Sequence, residues 1–318
     1  MKENRKILLL FVMCLLFVGI DIARGDDEND DNGTAFRAVA LNDSIAADSV
    51  NSVALHFPGM KSNELIRGDE LDSIFSRIRG GNDIVRIVHI GDSHVRGHVF
   101  SVAARHRLEK EWGDSAVEAQ NISYQTTAIA TETGKPGIVY SAIGRNGAVC
   151  AHFLSGDYIS KVKSLNPDLV IVSLGTNESY GSFSGESFRN NLDSLCVMIN
   201  DSCPSAKIML TTLPGSYKRI RVRGKNRKGR RRYSSTPVEN KNSEKVRQIW
   251  LAYAEEHNLP VWDLYGIMGG DASACKNWRR AKFMRSDFVH YTHEGYTYQG
   301  ELMAEAIIKQ YNKYVARH

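Results

Sequence analysis

The stretch Leu169-Val170-Ile171-Val172-Ser173-Leu174 restricts the possible folds more than any other. Five of its six residues are apolar, so a strand built from them has no face that can look at water. Asn166-Pro167-Asp168 precedes it and Gly175 follows, which leaves too little room for a helix. It reads as a central strand of a parallel sheet covered on both sides. Similar runs recur at Ile84–Ile90, broken only by Arg86 and His89, at Ile138–Ile143, at Ala206–Thr212 and at the short Pro260–Leu264. Gln120–Ala128 is a further candidate strand. Helical periodicity fills the intervals. Leu71, Ile74, Phe75 and Ile78 share a face after Asp69-Glu70, and Gly80-Gly81 ends that segment. Val99–Trp112, Ser155 or Asp157 to Ser164, Ser184–Ile199, Ser243–Glu256 and Gly300–Tyr314 read the same way. Strands alternating with helices predict an α/β domain with a parallel sheet between two helical layers.

Sheets of this kind hold their sites beyond the carboxyl ends of the strands. Three of those ends carry unusual glycine or polar groups: Gly91–His94, Gly144–Gly147 and Gly175–Glu178. They are expected on one rim. Ester cleavage by a serine needs a base, an acid that orients the base, and donors for the oxyanion. Ser93 follows a strand and precedes a helix, which suits both an exposed hydroxyl and a backbone N–H donor. Gly147 has no side chain to block a carbonyl, with Gly144 as its rival. Asn177 supplies an amide donor. Asp287-Phe288-Val289-His290 sets a carboxylate and an imidazole three residues apart. His293 competes with His290 for the same role, and Asp287 has an alternative role as the cap of a local turn. His94 and Glu178 are candidates for the substrate rim.

The four blocks Gly91-Asp92-Ser93-His94, Gly144-Arg145-Asn146-Gly147, Gly175-Thr176-Asn177-Glu178 and Asp287-Phe288-Val289-His290 resemble those of the SGNH, or GDSL-like, serine esterases and lipases. The resemblance runs from about residue 70 to the C-terminus. It implies a three-layer α/β/α flavodoxin-like fold with a parallel central sheet. It implies Ser93 as nucleophile, His290 as base and Asp287 as its orienter. Ser93, Gly147 and Asn177 then form the oxyanion hole. His89–His94, Ser173–Glu178, Val261-Trp262-Asp263-Leu264 and His290–Gly295 look like exported esterases of Bacteroidetes type, several of which act on O-acetylated peptidoglycan or other glycans. The expectation is a serine carboxylic-ester hydrolase that removes O-acetyl groups from a glycan, with peptidoglycan foremost. Acetylxylan or another polysaccharide is an alternative substrate, acyl transfer an alternative outcome, and a non-catalytic glycan-binding scaffold an alternative class. This chemistry needs no metal and no organic cofactor. Two departures weaken any lipase-like reading: His94 stands where the family usually has leucine, and Glu178 where it usually has aspartate.

The N-terminus reads as an export signal over residues 1–25. Lys2, Arg5 and Lys6 precede the apolar run Ile7–Ile20, and Ala23-Arg24-Gly25 supplies small residues at the cleavage positions. The run is short for a membrane span, which needs about 20 residues; an uncleaved anchor is the alternative. Met13 is bulky where a lipoprotein signal before Cys14 would want a small residue. The expected location is periplasmic or secreted, with no stable membrane insertion after cleavage. Residues 26–63 read as a polar extension and 64–318 as the hydrolase domain. Cys150, Cys196, Cys203 and Cys275 match no zinc framework.

Charge is concentrated rather than spread. Lys218, Arg219, Arg221, Arg223, Lys225, Arg227, Lys228, Arg230, Arg231 and Arg232 lie in one stretch without an acid, and removing these ten cations turns a net +5 into a net −5. Nucleic-acid binding is therefore a poor default. The stretch reads as a solvated, mobile loop; the alternative is a contact for an anionic cell-envelope polymer.

Overall fold

The apolar runs become the strands of one sheet, and their common register brings the polar loops together. The computed structural model describes residues 57–117, 129–225, 229–271 and 273–318. The expected leader, residues 26–56 of the polar extension, the candidate strand Gln120–Ala128, and Arg227 and Lys228 lie outside these residues. The strands are β1 (Leu65–Ile66), β2 (Ile84–Gly91), β3 (Gly137–Gly144), β4 (Leu169–Ser173), β5 (Lys207–Thr211), β6 (Tyr217–Lys225), β7 (Arg231–Glu239) and β8 (Val261–Trp262). Six of them form the sheet β1-β8-β5-β4-β2-β3. All neighbours are parallel except β1, a two-residue edge strand antiparallel to β8. Strand order reverses at β2, the crevice where doubly wound sheets bind their ligands. Gly91 of β2 is paired with Gly144 of β3 and with Ser173 of β4, so the three following loops leave the sheet at one level.

The helices are α1 (Asp72–Gly80), α2 (Ser93–Arg96), α3 (Val99–Trp112), α4 (Cys150–Phe153), α5 (Gly156–Ser164), α6 (Gly185–Ser202), α7 (Asn242–Glu256), α8 (Leu264–Ile267), α9 (Ala274–Arg280) and α10 (His293–Arg317). Alternate strand residues feed two cores, as a strand's period of two requires. Ile87, Tyr140, Ile171, Met209 and Trp262 pack with buried residues of α1, α3 and α10. Val88, Ile90, Val172, Leu210 and Val261 pack with those of α4, α5, α6 and α7. Burying a side chain of this size contributes roughly 1.5–3 kcal/mol, so the two cores hold the layers to the sheet. The segment before β1 is tied on as well. Asn63 donates its amide to the Leu302 carbonyl at 2.8 Å and accepts from Trp262 Nε1 at 3.0 Å.

A polar chain runs through the sheet just beneath the loop-bearing ends. The Tyr140 hydroxyl meets His89 Nδ1 at 2.7 Å, His89 Nε2 meets Ser173 Oγ at 2.6 Å, and Thr211 donates to Ser173 Oγ at 2.7 Å. Burial pushes the His89 imidazole down to about 3, so the ring is neutral. A neutral ring has one donor and one acceptor, which is what this chain uses.

Two expectations require correction. The described residues of Lys218–Arg232 are not simply a loop: β6 and β7 form an antiparallel hairpin in register from Tyr217 opposite Glu239 to Lys225 opposite Arg231. The sequence Arg219-Ile220-Arg221-Val222-Arg223 alternates with the period of a strand, and its charge hid the pattern. The last helix begins at His293 rather than Gly300, because Thr292 caps it by accepting from the Gly295 N–H at 3.2 Å. All four cysteines of the described residues are buried free thiols. Among the described residues no helix is long and apolar enough to cross a membrane.

Candidate active site

Ser93 is the first residue of α2, directly after β2. Asp92 caps that turn, its Oδ1 accepting from the His94 N–H at 2.9 Å. From the far end of the chain, the segment 285–290 folds back on itself. The Arg285 N–H donates to the His290 carbonyl at 2.9 Å, and Phe288 takes a left-handed φ of 61°. This turn sets the imidazole against the serine. His290 Nε2 lies 2.9 Å from Ser93 Oγ, and His290 Nδ1 lies 2.8 Å from Asp287 Oδ2. With Nδ1–H donated to the carboxylate, Nε2 is left to accept from the serine hydroxyl. The other carboxylate oxygen accepts from the Val289 and His290 N–H groups at 2.8 and 2.9 Å. Burial would raise the Asp287 carboxyl, but the bonds from His290 and Val289 outweigh it and hold the group below the usual carboxylate range. An ionised acid, an oriented ring and a hydroxyl in line can move a proton off the serine and stabilise the imidazolium that forms.

The donor loops stand beside this line. Arg145 to Ala148 form a turn closed by the Ala148 N–H on the Arg145 carbonyl at 3.2 Å, with Gly147 at φ 66°. Gly147 is exposed, and a Cβ there would meet nothing within 4 Å. Gly144 differs. A Cβ at Gly144 would lie 2.3 Å from the Arg96 backbone, so its role is to let β3 approach α2. The Asn177 amide donates to the Ala148 carbonyl at 2.9 Å and makes a long contact of 3.4 Å with Asp92 Oδ2. The first bond ties the loop after β4 to the loop that carries Gly147. Asp92 itself is buried, and loss of water pushes its carboxyl up to about 7.

Two residues expected on the rim are elsewhere. His94 is buried under the imidazole of His290, ring centroids 5.4 Å apart, with Nδ1 bonded to the Tyr296 hydroxyl at 2.8 Å. Burial pushes it down to about 3, so it is neutral. Glu178 turns inward, where its two oxygens accept from the Cys150 and Gly175 N–H groups at 2.7 and 3.1 Å. Both hold the loops in place. His293 points to solvent and contacts Thr297 of its own helix at 3.5 Å. Tyr296, under the site, was missed because it lies in the polar first turns of α10. Its place four residues after the Thr292 cap was the available signal. Among the described residues there is no cluster of His, Cys, Asp and Glu that could hold a metal ion.

Residues 89–298, two thirds of the chain, match the model of the GDSL-like lipase/acylhydrolase family, a span that contains every group named above. The chain belongs to that family. As a GDSL-like acylhydrolase it is a serine hydrolase of acyl esters. Several solved structures are similar to this GDSL-like chain, the first of the three below in fold. A peptidoglycan O-acetylesterase is 20% identical, with a TM-score of 0.61, over 78% of this chain and 96% of its own. A candidate acylhydrolase from Bacteroides fragilis is 18% identical, with a TM-score of 0.45, over 76% and 96%. The esterase EstA from a Pseudoalteromonas species is 15% identical, with a TM-score of 0.46, over 71% and 98%. No functionally curated protein matches the chain.

Proposed function

We propose that the protein is a serine esterase that removes O-acetyl groups from a glycan, peptidoglycan foremost. The observation that carries this reading is the line Asp287–His290–Ser93, with contacts of 2.8 and 2.9 Å. In the proposed reaction Ser93 Oγ attacks the acetyl carbonyl while His290 Nε2 takes its proton. The oxyanion rests on the Ser93 and Gly147 N–H groups and on the Asn177 N–H that gives up its long contact with Asp92, each such donor being worth about 3 kcal/mol. His290 then protonates the departing sugar oxygen. Water, activated by the same ring, attacks the acetyl-serine and frees acetate. Two facts support a bulky alcohol. The His290 and Asp287 side chains are 33% and 41% exposed, and the space in front of Gly147 is open. A polymer can therefore lie across the site. The fold shared with a peptidoglycan O-acetylesterase supports the choice of glycan.

Acetate release from O-acetylated peptidoglycan, O-acetylated xylan and a small neutral ester tests the reading. The wild type should act on peptidoglycan, Ser93→Ala should lose at least about 10⁴-fold in kcat, and Asp287→Asn about 10⁴-fold. Undiminished turnover by Ser93→Ala refutes the mechanism. Release from xylan alone moves the substrate to plant-type polysaccharide.

A further inference from the structure

The β6–β7 hairpin is two-faced. Side chains alternate along each strand, and residues directly opposite share a face. The register places Arg219, Arg221, Arg223, Tyr233 and Arg231 on one side and Ile220, Val222, Thr236 and Val238 on the other, with Lys218 and Arg232 at the two ends of that second side. The cationic side is the one that continues into the His290 turn. The Tyr217 N–H donates to the Phe288 carbonyl at 2.9 Å, and the Tyr217 and Phe288 rings lie 5.7 Å apart. Arg219 and Arg279 stand over the Phe288 ring at 5.9 and 4.7 Å. Farther out, the Arg221 guanidinium covers Tyr233 at 4.0 Å, which leaves its N–H edges to an incoming anion.

The charge on this row is uncompensated. Arg219, Arg221, Arg223 and Arg231 are exposed, and among the described residues none forms an ion pair. The single acid of the two strands, Glu239, sits at the root and is engaged by Lys241 and Lys276. Like charges about 7 Å apart along a strand repel, and an anionic chain laid along them relieves that repulsion. We propose that this face binds an acidic polysaccharide through its carboxylates, holding the same chain that presents its ester to Ser93. The inference rests on the esterase reading for the identity of that chain. A flat lipid surface fits less well. Ile220 and Val222 face away from the row that is continuous with the catalytic loop, and that row carries four arginines.

Titration calorimetry of the full-length protein with polygalacturonate and with neutral glucomannan tests the proposal. The wild type should bind polygalacturonate at least about tenfold tighter than glucomannan at low salt, and most of that preference should vanish near 1 M salt, where the screening length falls to about 3 Å. Arg221→Ser/Arg223→Ser/Arg231→Ser should lose the preference, whereas the matching lysine variant should keep most of it. Equal binding of the two polymers by the wild type overturns the proposal. So does an undiminished preference in the serine variant, or hairpin-dependent binding of anionic phospholipid vesicles without binding of polygalacturonate. Hydrolysis of a small neutral ester by the same preparations reports separately on folding and on the Ser93 relay. Turnover without acidic-polymer binding therefore sinks this inference alone, and binding without turnover sinks the esterase reading alone.

Discussion

Asp92 is a carboxyl in the wrong solvent. It is 1% exposed, its neighbours include Glu178, and loss of water pushes it up to about 7. The folded chain thus holds a proton that the unfolded chain gives up near 3.8. Where the native state binds the extra proton, stability falls as pH rises, here from about pH 4 to about pH 7. Asp92→Asn keeps an acceptor for the His94 N–H and removes the buried charge. Urea midpoints at about pH 4 and pH 8 should show the variant gaining a few kcal/mol on the wild type across the interval. Parallel curves would mean that the carboxyl stays ionised in the fold. At this scale the sequence was readable where chemistry dictates the residue type. A hydroxyl, an imidazole and a carboxylate at Ser93, His290 and Asp287 form one hydrogen-bonded line. It was not readable for His94 and Glu178. Their inward turn depends on Tyr296 and Cys150, which come from other segments.

Among the elements, β3 and its turn carry two glycines with different duties. At Gly144 any side chain would strike the backbone of α2, which begins with Ser93. Gly144→Ala should destabilise by about 1–3 kcal/mol through overpacking and should also cut turnover, because it displaces the nucleophile's own helix. Gly147→Ala has free space and only the left-handed backbone to resist it, a cost of about 1–2 kcal/mol. Thermal melts of the two variants with a small ester assay check the contrast; a Gly144→Ala protein that melts and turns over like the wild type would sink it. The central strands were legible because a strand buried on both faces has to be apolar throughout. The hairpin was not, since its alternation is of cations with Ile and Val rather than of polar with core. The first turns of α10 were hidden in the polar run from His293 to Gln299, whose buried members Gly295, Tyr296 and Gln299 show only in three dimensions.

At the scale of the whole molecule, the layers are pinned by one ion pair as well as by the cores. Arg247 of α7 donates to both oxygens of Asp263, at 2.8 and 2.7 Å, and Asp263 caps α8 just after β8. Both side chains are largely buried, at 11% and 5% exposure. Arg247→Met would leave the carboxylate Lys61, Thr212 and the Gly266 N–H as partners, a loss below the roughly 3–5 kcal/mol of a fully abandoned buried charge. The double variant Arg247→Met/Asp263→Leu should recover part of that loss in urea unfolding, unless the pair is replaced by water. The parallel order of the sheet followed from the alternation of runs, whereas the antiparallel edge at β1 did not, because two residues carry no period. The serine hydroxyl and its imidazole stand 197 positions apart along the chain. A ribosome therefore delivers the first long before the second exists, and the half-made protein carries a hydroxyl with nothing to arm it. Such a chain has no Ser93–His290 relay until the turn at 285–290 has docked.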